Sequence, residues 1–317
     1  MLLEPGTVVG RSTTVMRAVV VGAVGSTQVL LEELGRAADW HVPLVVTLPV
    51  ELHGRHSDIV DLAGYAKTLG AELLKVARTN EAATIAAVRD ANPDFVFVVG
   101  WSQLVGCEFL DIARRGTIGY HPAPLPRLRG RAAIPWTILL EEPISASSLF
   151  WIGKGTDDGD LLAQKFFHVA SDETAQGLYE KHMGALRAML REALPLLASG
   201  QQPRHPQDER YATWAARRTR ADGRIDWHAS AASIDKLTRA IGRPYPGAFT
   251  HAGTRRLTIW STRLVPGGER HHACPGQIVA ATNGHLTVQT GDGLIDLLDW
   301  EIEEERAPAM HSILGGR

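Results

Sequence analysis

The sequence predicts an α/β fold in two parts: a mostly parallel sheet covered by helices, followed by a small β-barrel. Strand-like and helix-like stretches alternate over the first 200 residues, which is the pattern of consecutive βαβ units. Near residue 199 the chain turns polar and proline-bearing. Beyond residue 219, short β-rich runs are separated by Gly, Pro and Asn, which is typical of a small barrel.

In the first part, apolar β-rich runs alternate with stretches of helical periodicity. Val29, Leu30 and Leu34, for example, share one face of the first helix. The predicted strands are 18–22, 42–48, 95–99, 147–152 and 162–169. The predicted helices are 28–38, 59–69, 82–91, 134–142 and 174–197.

The second part contains one predicted helix, 231–241, and several short strands. The predicted strands are 257–261, 276–281, 286–290 and 295–298. Residues 1–15 show no signal-peptide pattern and precede the first buried strand, so we expect a flexible extension there. The proposed divisions are the extension at 1–15, a first domain at 16–200, a linker at 201–218 and a second domain at 219–317.

The composition excludes several classes of protein. Of 317 residues, 44 % are apolar, and 33 Lys and Arg against 35 Asp and Glu leave a net charge of −2. A near-neutral chain has no general electrostatic attraction for nucleic acid or anionic membranes. No apolar run approaches the ~20 residues of a membrane helix. Only two cysteines occur, Cys107 and Cys274, which excludes a disulfide framework and a four-cysteine zinc site. We therefore expect a cytoplasmic protein without membrane association.

The most informative segment is a proline-rich path that begins where an apolar strand ends. His121 stands at that strand end, and the next five residues, 122–126, contain three prolines, which hold a rigid, non-helical path. A glycine-flanked acidic loop at 153–160 contains Asp157 and lacks the alternating carboxylates of a calcium loop. A carboxylate beside an imidazole is suited to acid–base catalysis.

Three weaker motifs have two interpretations each. The glycine turn at 22–26 is either a tight strand-to-helix connection or an anion contact. The polar loop at 54–58 is either solvated or places Arg55 on a phosphate or carboxylate. His271, His272 and Cys274 have no further ligands nearby in the sequence, so we expect no metal.

Together, these motifs resemble the folate-dependent formyltransferases, and the resemblance covers most of residues 16–310. It implies a Rossmann-like catalytic domain at 16–200, an OB-like barrel at 219–317, and 10-formyltetrahydrofolate as cosubstrate. The residues that carry it are Tyr120-His121-Pro122, Pro124-Leu125-Pro126, Arg129-Gly130, Trp136, Asp157, Gly159-Asp160, Gln164, Ile225-Asp226-Trp227 and Pro244-Tyr245-Pro246-Gly247-Ala248-Phe249.

The resemblance assigns roles to three positions. His121 would donate to the developing oxyanion and handle the proton, and Asp157 would orient His121 or relay that proton. Members of the family usually carry an asparagine at the position of Gly119, and its amide supports the oxyanion. Loss of such a donor costs about 10²–10³ in rate. We expect an asparagine at position 119 to be accommodated.

The resemblance also implies binding residues. The pterin would be held largely by backbone, at Trp101, Ser102, Gln103, Leu104, Gly153, Thr156 and Asp157. For Trp101, core packing is an equal alternative. Arg131 matches an arginine of the sugar-formylating members, with a surface ion pair as the alternative. Arg55 and Pro124 are further substrate contacts, and Arg127 and Arg129 are candidates for a carboxylate or phosphate.

The formyl acceptor stays open. Residues 211–317 carry nearly balanced charges with one dense arginine cluster, which does not favour tRNA or other nucleic acid. We expect a small-molecule amine, an amino sugar or a sugar nucleotide. A 10-formyltetrahydrofolate hydrolase is the alternative, favoured by Gly119 and the Tyr120-His121-Pro122 context. A methionyl-tRNA formyltransferase and a non-catalytic folate-binding protein rank below both, and the resemblance allows a homodimer.

Overall fold

The computed structural model describes residues 15–55, 58–303 and 306–315. The proposed extension, except for residue 15, therefore lies outside the described part. The side chain of Arg55 also lies outside it.

A seven-stranded sheet forms the centre of the first part. In chain order the strands of the protein are β1 (Met16–Val21), β2 (Trp40–Thr47), β3 (Glu72–Lys75), β4 (Phe95–Val98), β5 (Gly116–His121), β6 (Arg129–Gly130), β7 (Ile144–Trp151), β8 (Leu161–His168), β9 (Trp214–Ala215), β10 (Ala248–Ala252), β11 (Arg255–Leu264), β12 (Ile278–Thr282), β13 (His285–Gln289) and β14 (Leu294–Ile302). The large sheet has the order β3-β2-β1-β4-β5-β7-β8. Strands β1 to β5 are parallel, and β7 pairs antiparallel with both of its neighbours, β5 and β8. The mostly parallel sheet is confirmed. The prediction missed β3, an edge strand whose residues are at most half-buried.

Helices cover both faces of this sheet. They are α1 (Gly25–Arg36), α2 (Ala63–Leu69), α3 (Ala82–Asp90), α4 (Cys107–Leu110), α5 (Ala133–Leu139), α6 (Ala175–Ala198) and, in the second part, α7 (Ala231–Ile241). On one face, Ile118 of β5 packs in a core with residues of α1 and α6. On the other, Val98 of β4 packs in a core with Ile85 of α3 and Phe109 of α4. Within the described ranges, no helix combines the length and apolar character that a membrane span requires.

One predicted helix is shorter than expected. The periodicity predicts a helix over 59–69, but α2 begins only at Ala63. Ile59 instead forms a β-bridge with Val24, and the N–H of Val60 donates to the carbonyl of Ala23. Pairing with the turn after β1 therefore overrides the local helical pattern.

The second part is a separate antiparallel sheet of five strands in the order β10-β11-β14-β13-β12. The prediction missed β10, which is short. The core of this second sheet joins Leu257 and Ile295 to Ile138 of α5 and Leu178 of α6. Apolar side chains from both parts of the chain therefore share one core. The two-part α/β architecture is confirmed.

Candidate active site

The candidate site lies at the carboxyl end of β5, next to the place where the strand order reverses between β1 and β4. In open parallel sheets, ligand crevices form outside the carboxyl ends of the strands at such a reversal. His121 is the last residue of β5 and is only 6 % exposed. The loops after β4 and β5 and the loop between β7 and β8 bring further groups to it.

Both ring nitrogens of His121 face acceptor oxygens. Nε2 lies 2.7 Å from the carbonyl oxygen of Leu128, so the proton on Nε2 is donated there. Nδ1 lies 3.6 Å from Oδ2 of Asp157. The predicted pairing of His121 with Asp157 is present in the structure. Because Nε2 is occupied, Nδ1 is the nitrogen available for proton transfer.

Asp157 is held in place from two sides. It adopts a φ of +53°, which is uncommon for a residue other than glycine. Its Oδ2 accepts the N–H of Gly130 at 2.8 Å. The side-chain amide of Gln207 donates to the carbonyls of Asp157 and Gly159, at 2.8 and 2.7 Å. These hydrogen bonds offset the strained backbone and direct the carboxylate at His121.

The proline-rich path is fastened to the antiparallel strands beneath it. Ser148 of β7 donates through its hydroxyl to the carbonyl of Ala123 at 2.7 Å. The side-chain amide of Gln164 on β8 donates to the carbonyl of Leu125 and to the Ser148 hydroxyl, both at 2.9 Å. This gives Gln164, part of the resemblance, a physical role: it preorganises the path that follows His121.

Arg129 is a structural residue rather than a ligand for substrate. It is 3 % exposed, and its guanidinium pairs with both carboxylate oxygens of Glu209, at 2.6 and 3.0 Å. It also donates to the side-chain oxygen of Gln207 at 2.8 Å. Arg127 forms an ion pair with Glu142. Both guanidiniums therefore have carboxylate partners within the chain.

The segment proposed as the linker, 201–218, contributes to the site. Besides Gln207 and Glu209, it contains Thr213, whose hydroxyl accepts the N–H of Leu128 at 2.9 Å. Strand β9 of this segment pairs in parallel with β6. Sequence analysis missed all of these residues because a polar, proline-bearing stretch does not show which strand it lies against.

Gly119 faces a filled space. A Cβ at this position would lie 2.7 Å from Cζ of Phe150 and 3.0 Å from Cγ1 of Ile152. Phe150 is 4 % exposed and stands opposite Gly119 on the neighbouring strand β7. The Phe150 ring thus occupies the volume that an asparagine side chain would enter. This contradicts the expectation that an asparagine at position 119 is accommodated.

The first predicted pterin segment contacts the loop after β3. The indole N–H of Trp101 donates to the hydroxyl of Thr79 at 2.6 Å, and the ring is half-buried. The side chain of Gln103 accepts the Thr79 N–H and donates to the carbonyl of Ala77, so its polar atoms are engaged. Leu104 is 75 % exposed. The polar side-chain atoms of Trp101 and Gln103 are therefore engaged within the protein.

The second predicted pterin segment is the loop that carries Asp157. Gly153 lies at its beginning, and a Cβ there would stand 3.0 Å from a carboxylate oxygen of Asp158. Thr156 is exposed and directly precedes Asp157. The loop therefore carries small or exposed residues next to Asp157.

The predicted substrate contacts have different surroundings. Arg131 is exposed, and its guanidinium lies 3.4 Å from the carbonyl oxygen of Ser102. Pro124 is half-buried, and its carbonyl accepts the N–H of Arg127 at 3.0 Å. Arg55 ends a short 3₁₀ helix, Val50–Arg55, and its side chain lies outside the described part.

The glycine turn after β1 is closely packed. A Cβ at Gly22 would lie 2.0 Å from the carbonyl oxygen of Val99, and one at Gly25 would lie 2.2 Å from the hydroxyl of Tyr179. This favours the tight-connection interpretation of the motif. As for metals, the described residues include no group of three or more His, Cys, Asp or Glu that would hold an ion.

The opposite face of β5 carries a buried polar group. The Tyr120 hydroxyl lies 3.1 Å from the hydroxyl of Ser147, which in turn lies 2.8 Å from Nδ1 of His182. Burial raises the pKa of Tyr120. Burial, and secondarily the charge of His121, lowers the pKa of His182 from 6.5 to about 3. His182 is therefore neutral at physiological pH.

Comparisons with known proteins show the family of the chain and relate its fold to solved structures. The formyl transferase family model matches residues 28–194, and the model of the formyl transferase C-terminal domain matches residues 217–317. HypX from Aquifex aeolicus in complex with tetrahydrofolic acid superimposes with a TM-score of 0.65 at 18 % identity, covering 92 % of this chain and 45 % of that one. The chain thus spans less than half the length of HypX.

Two further structures are covered over nearly their whole length. An N-formyltransferase from Helicobacter canadensis, solved with folinic acid and dTDP-3-aminofucose, has a TM-score of 0.61 at 14 % identity and covers 89 % of this chain and 98 % of that one. A methionyl-tRNA formyltransferase from Clostridium thermocellum has a TM-score of 0.57 at 16 % identity. The match covers 80 % of this chain and 95 % of that one. These identities show the fold alone, whereas the family models match most of the sequence. The chain belongs to the formyl transferase family.

Proposed function

We propose that this protein transfers a formyl group from 10-formyltetrahydrofolate to the amine of a small acceptor, an amino sugar or a sugar nucleotide. The observation that carries the proposal is the contact between His121 and Asp157. The two residues are 36 positions apart in the chain, and their facing atoms are 3.6 Å apart at the carboxyl end of a central strand. Each is held by hydrogen bonds to other segments, which is the preorganisation that acid–base catalysis requires.

The residues around this pair fit a folate. Ser102 of one proposed pterin segment contacts the guanidinium of Arg131. The N–H of the preceding residue, Gly130, binds Asp157 of the other segment. This series of contacts brings both segments to the same side of His121. Backbone N–H and C=O groups suit a pterin ring, because the ring edge alternates donors and acceptors.

The chemistry divides between two side chains. 10-Formyltetrahydrofolate supplies a formyl group on a weakly basic nitrogen, and the acceptor amine must lose a proton as it attacks. Oδ2 of Asp157 already receives the Gly130 N–H and faces His121. Oδ1 accepts no hydrogen bond from any described residue and is the acceptor that we assign to the amine proton. His121, when protonated at Nδ1, donates to the formyl oxygen as it gains negative charge. The tetrahedral intermediate then collapses: the bond between the formyl carbon and the folate nitrogen breaks, and that nitrogen leaves with the proton that Asp157 took from the amine.

The choice of acceptor rests on charge and on similarity. The balanced charge of residues 211–317 gives little affinity for tRNA phosphates. A structural neighbour that is covered over 98 % of its length was solved with dTDP-3-aminofucose. The charge supports a small amine over tRNA, and the neighbour supports an acceptor of the amino-sugar nucleotide class among small amines.

A second candidate function is hydrolysis of 10-formyltetrahydrofolate, with water as the acceptor. The observation in its favour is Gly119 with Phe150 packed against it. The asparagine amide that family members usually carry at this position is absent, and the Phe150 ring fills its space. This protein would therefore support the oxyanion differently from the transferases that carry the asparagine.

The test is the release of tetrahydrofolate from 10-formyltetrahydrofolate, with and without a pool of amino-sugar nucleotides. Release that requires the pool supports the transferase, and mass spectrometry of the pool then identifies the acceptor. Equal release without any amine supports the hydrolase and contradicts the transferase. Binding of folinic acid without turnover under either condition contradicts both and leaves a folate-binding protein.

A further inference from the structure

Two arginines near the candidate site, Arg131 and Arg217, belong to chain segments that run side by side. The N–H of Arg131 donates to the carbonyl of Ala215 at 3.0 Å, so residues 215–217 run alongside Arg131. The neighbours of Arg217 are anchored: the Ala216 carbonyl accepts the indole N–H of Trp136 at 2.9 Å, and the Arg218 guanidinium lies 5.3 Å from the centre of the Trp136 ring. The residues on both sides of Arg217 therefore contact Trp136.

The two guanidiniums influence each other electrostatically. Arg131 is exposed as a residue, but its guanidinium is partly buried, and this desolvation is the first cause that lowers its pKa. The positive charge of Arg217 is the second cause. Among the described residues, neither arginine forms an ion pair with a carboxylate. The surface-ion-pair interpretation of Arg131 is therefore not supported. Two adjacent cations without a counter-ion repel each other, and an oxyanion placed between them removes that repulsion.

The nearby carboxylates are already engaged elsewhere. Glu209 pairs with Arg129, and Asp208 pairs with Arg210. Asp222 accepts the N–H and the hydroxyl of Thr219. Asp157 accepts the Gly130 N–H and faces His121. Within the described part of the chain, the arginine pair therefore has no intramolecular partner to neutralise it.

The position of the pair relates it to the reacting groups. Arg131 directly follows Gly130, whose N–H binds Asp157, and its guanidinium reaches the carbonyl of Ser102. We propose that Arg131 and Arg217 together form a subsite for an oxyanion, a phosphate or a carboxylate, on the substrate whose reactive end lies at His121 and Asp157. This inference rests on the proposed function. It adds Arg217, a residue of the segment between the two sheets, to the substrate-binding residues.

Two substrates carry such an anion: a sugar-nucleotide acceptor has a diphosphate, and folate has a glutamate tail. Isothermal titration calorimetry with inorganic pyrophosphate and with folinic acid distinguishes them. The variants are Arg217→Gln and Arg131→Gln, with Arg220→Gln as the matched control, because Arg220 is an exposed arginine of the same segment. We expect each subsite variant to weaken binding of one probe about 5- to 20-fold, and the control to bind both probes like the wild type.

Weaker pyrophosphate binding assigns the subsite to the acceptor, and weaker folinic acid binding assigns it to the folate tail. Unchanged binding of both probes in Arg217→Gln overturns the proposal. An equal loss in Arg220→Gln also overturns it, because general positive charge would then explain the binding. The assay measures binding without turnover, so a chain that proves to be a hydrolase, or inactive, does not invalidate the result.

Discussion

The two faces of β5 use polar groups in opposite ways. On one face, His121 faces Leu128 and Asp157, and Gly130 and Gln207 hold Asp157 in place. These residues come from three segments: the path after β5, the acidic loop and residues 201–218. On the other face, Tyr120 contacts Ser147, which contacts His182, and all three belong to the sheet and to α6. The first set surrounds a carboxylate whose side chain is 21 % exposed, and the second is closed within the core.

This difference indicates that the polar groups on the His121 face serve catalysis and that those on the Tyr120 face serve stability. Groups at the site are held by loops, so their positions depend on hydrogen bonds that a single substitution removes. Groups on the other face are held by packing, and burial there suppresses the charged form of histidine. Substitutions of the polar groups on the His121 face should therefore change turnover, whereas substitutions of the polar groups on the Tyr120 face should change the free energy of unfolding.

The largest effect is the loss of turnover that we expect when either His121 or Asp157 is replaced. In Asp157→Asn, the amide retains the contact with His121 but does not accept the amine proton. We expect turnover of 10-formyltetrahydrofolate to fall by about 10³ or more, in line with the removal of an essential acid–base group. Turnover in His121→Ala should fall by a similar factor. Folinic acid binding, measured by calorimetry, should change less than about threefold in both.

Asp158→Asn is the matched control for this prediction, because Asp158 is the next carboxylate of the same loop. It should keep turnover within about threefold of the wild type. If Asp157→Asn retained most of its turnover, the assignment of the reaction to this face of β5 would be wrong.

The next effect concerns the filled space beside His121. Gly119→Asn places a side chain against the Phe150 ring, and overpacking of a buried site costs typically 1–3 kcal/mol. We expect urea denaturation to show a loss of that size. Phe150→Leu removes the end of the ring, so Gly119→Asn should cost less in a Phe150→Leu background than in the wild type. Equal stability of Gly119→Asn and the wild type would contradict the packing interpretation.

Gly119 also shows what a sequence can and cannot predict here. The alternation of apolar runs predicted β1, β2, β4 and the antiparallel pair, because buried strands are recognisable from composition alone. The motifs predicted the meeting of His121 with Asp157. The space in front of Gly119, by contrast, depends on the register of Phe150 on another strand.

The segment 201–218 shows the same limit. Gln207 was not predicted because its partners, the carbonyls of Asp157 and Gly159, are backbone groups about 50 residues away in the chain. Arg129 resembles a surface arginine in the sequence, but it is buried by its contacts with the same segment. Backbone acceptors and long-range partners have no local signal in a sequence.

On the closed face, the expected effect is a dependence of stability on pH. The unfolded chain binds a proton at His182 below pH 6.5, whereas the folded chain binds it only near pH 3. Stability is therefore lost as the pH falls below 6.5, and this group should reduce the free energy of unfolding by about 2 kcal/mol between pH 8 and pH 5. Urea denaturation at both pH values measures it.

His182→Asn should remove this part of the pH dependence, since asparagine does not titrate and its amide can replace Nδ1 beside Ser147. His228→Asn, at an exposed histidine, is the control and should leave the slope unchanged. Turnover of His182→Asn at pH 8 should stay within about twofold of the wild type. A large loss of turnover in His182→Asn, with no change in how the free energy of unfolding depends on pH, would contradict the assignment of catalysis and stability to opposite faces of β5.

The smallest effect is expected at Gln207, which acts on catalysis only through the loop of Asp157. In Gln207→Glu the side chain still accepts from Arg129, but it no longer donates to the carbonyls of Asp157 and Gly159. We expect kcat to fall about tenfold with KM for 10-formyltetrahydrofolate within about twofold, because a mobile carboxylate affects the reaction more than binding. Glu209→Gln is the matched control: it weakens the Arg129 contact and leaves both donations of Gln207 intact. An equal loss of kcat in both variants would assign the effect to Arg129 and to general packing of the segment, whereas a loss confined to Gln207→Glu assigns it to the position of Asp157.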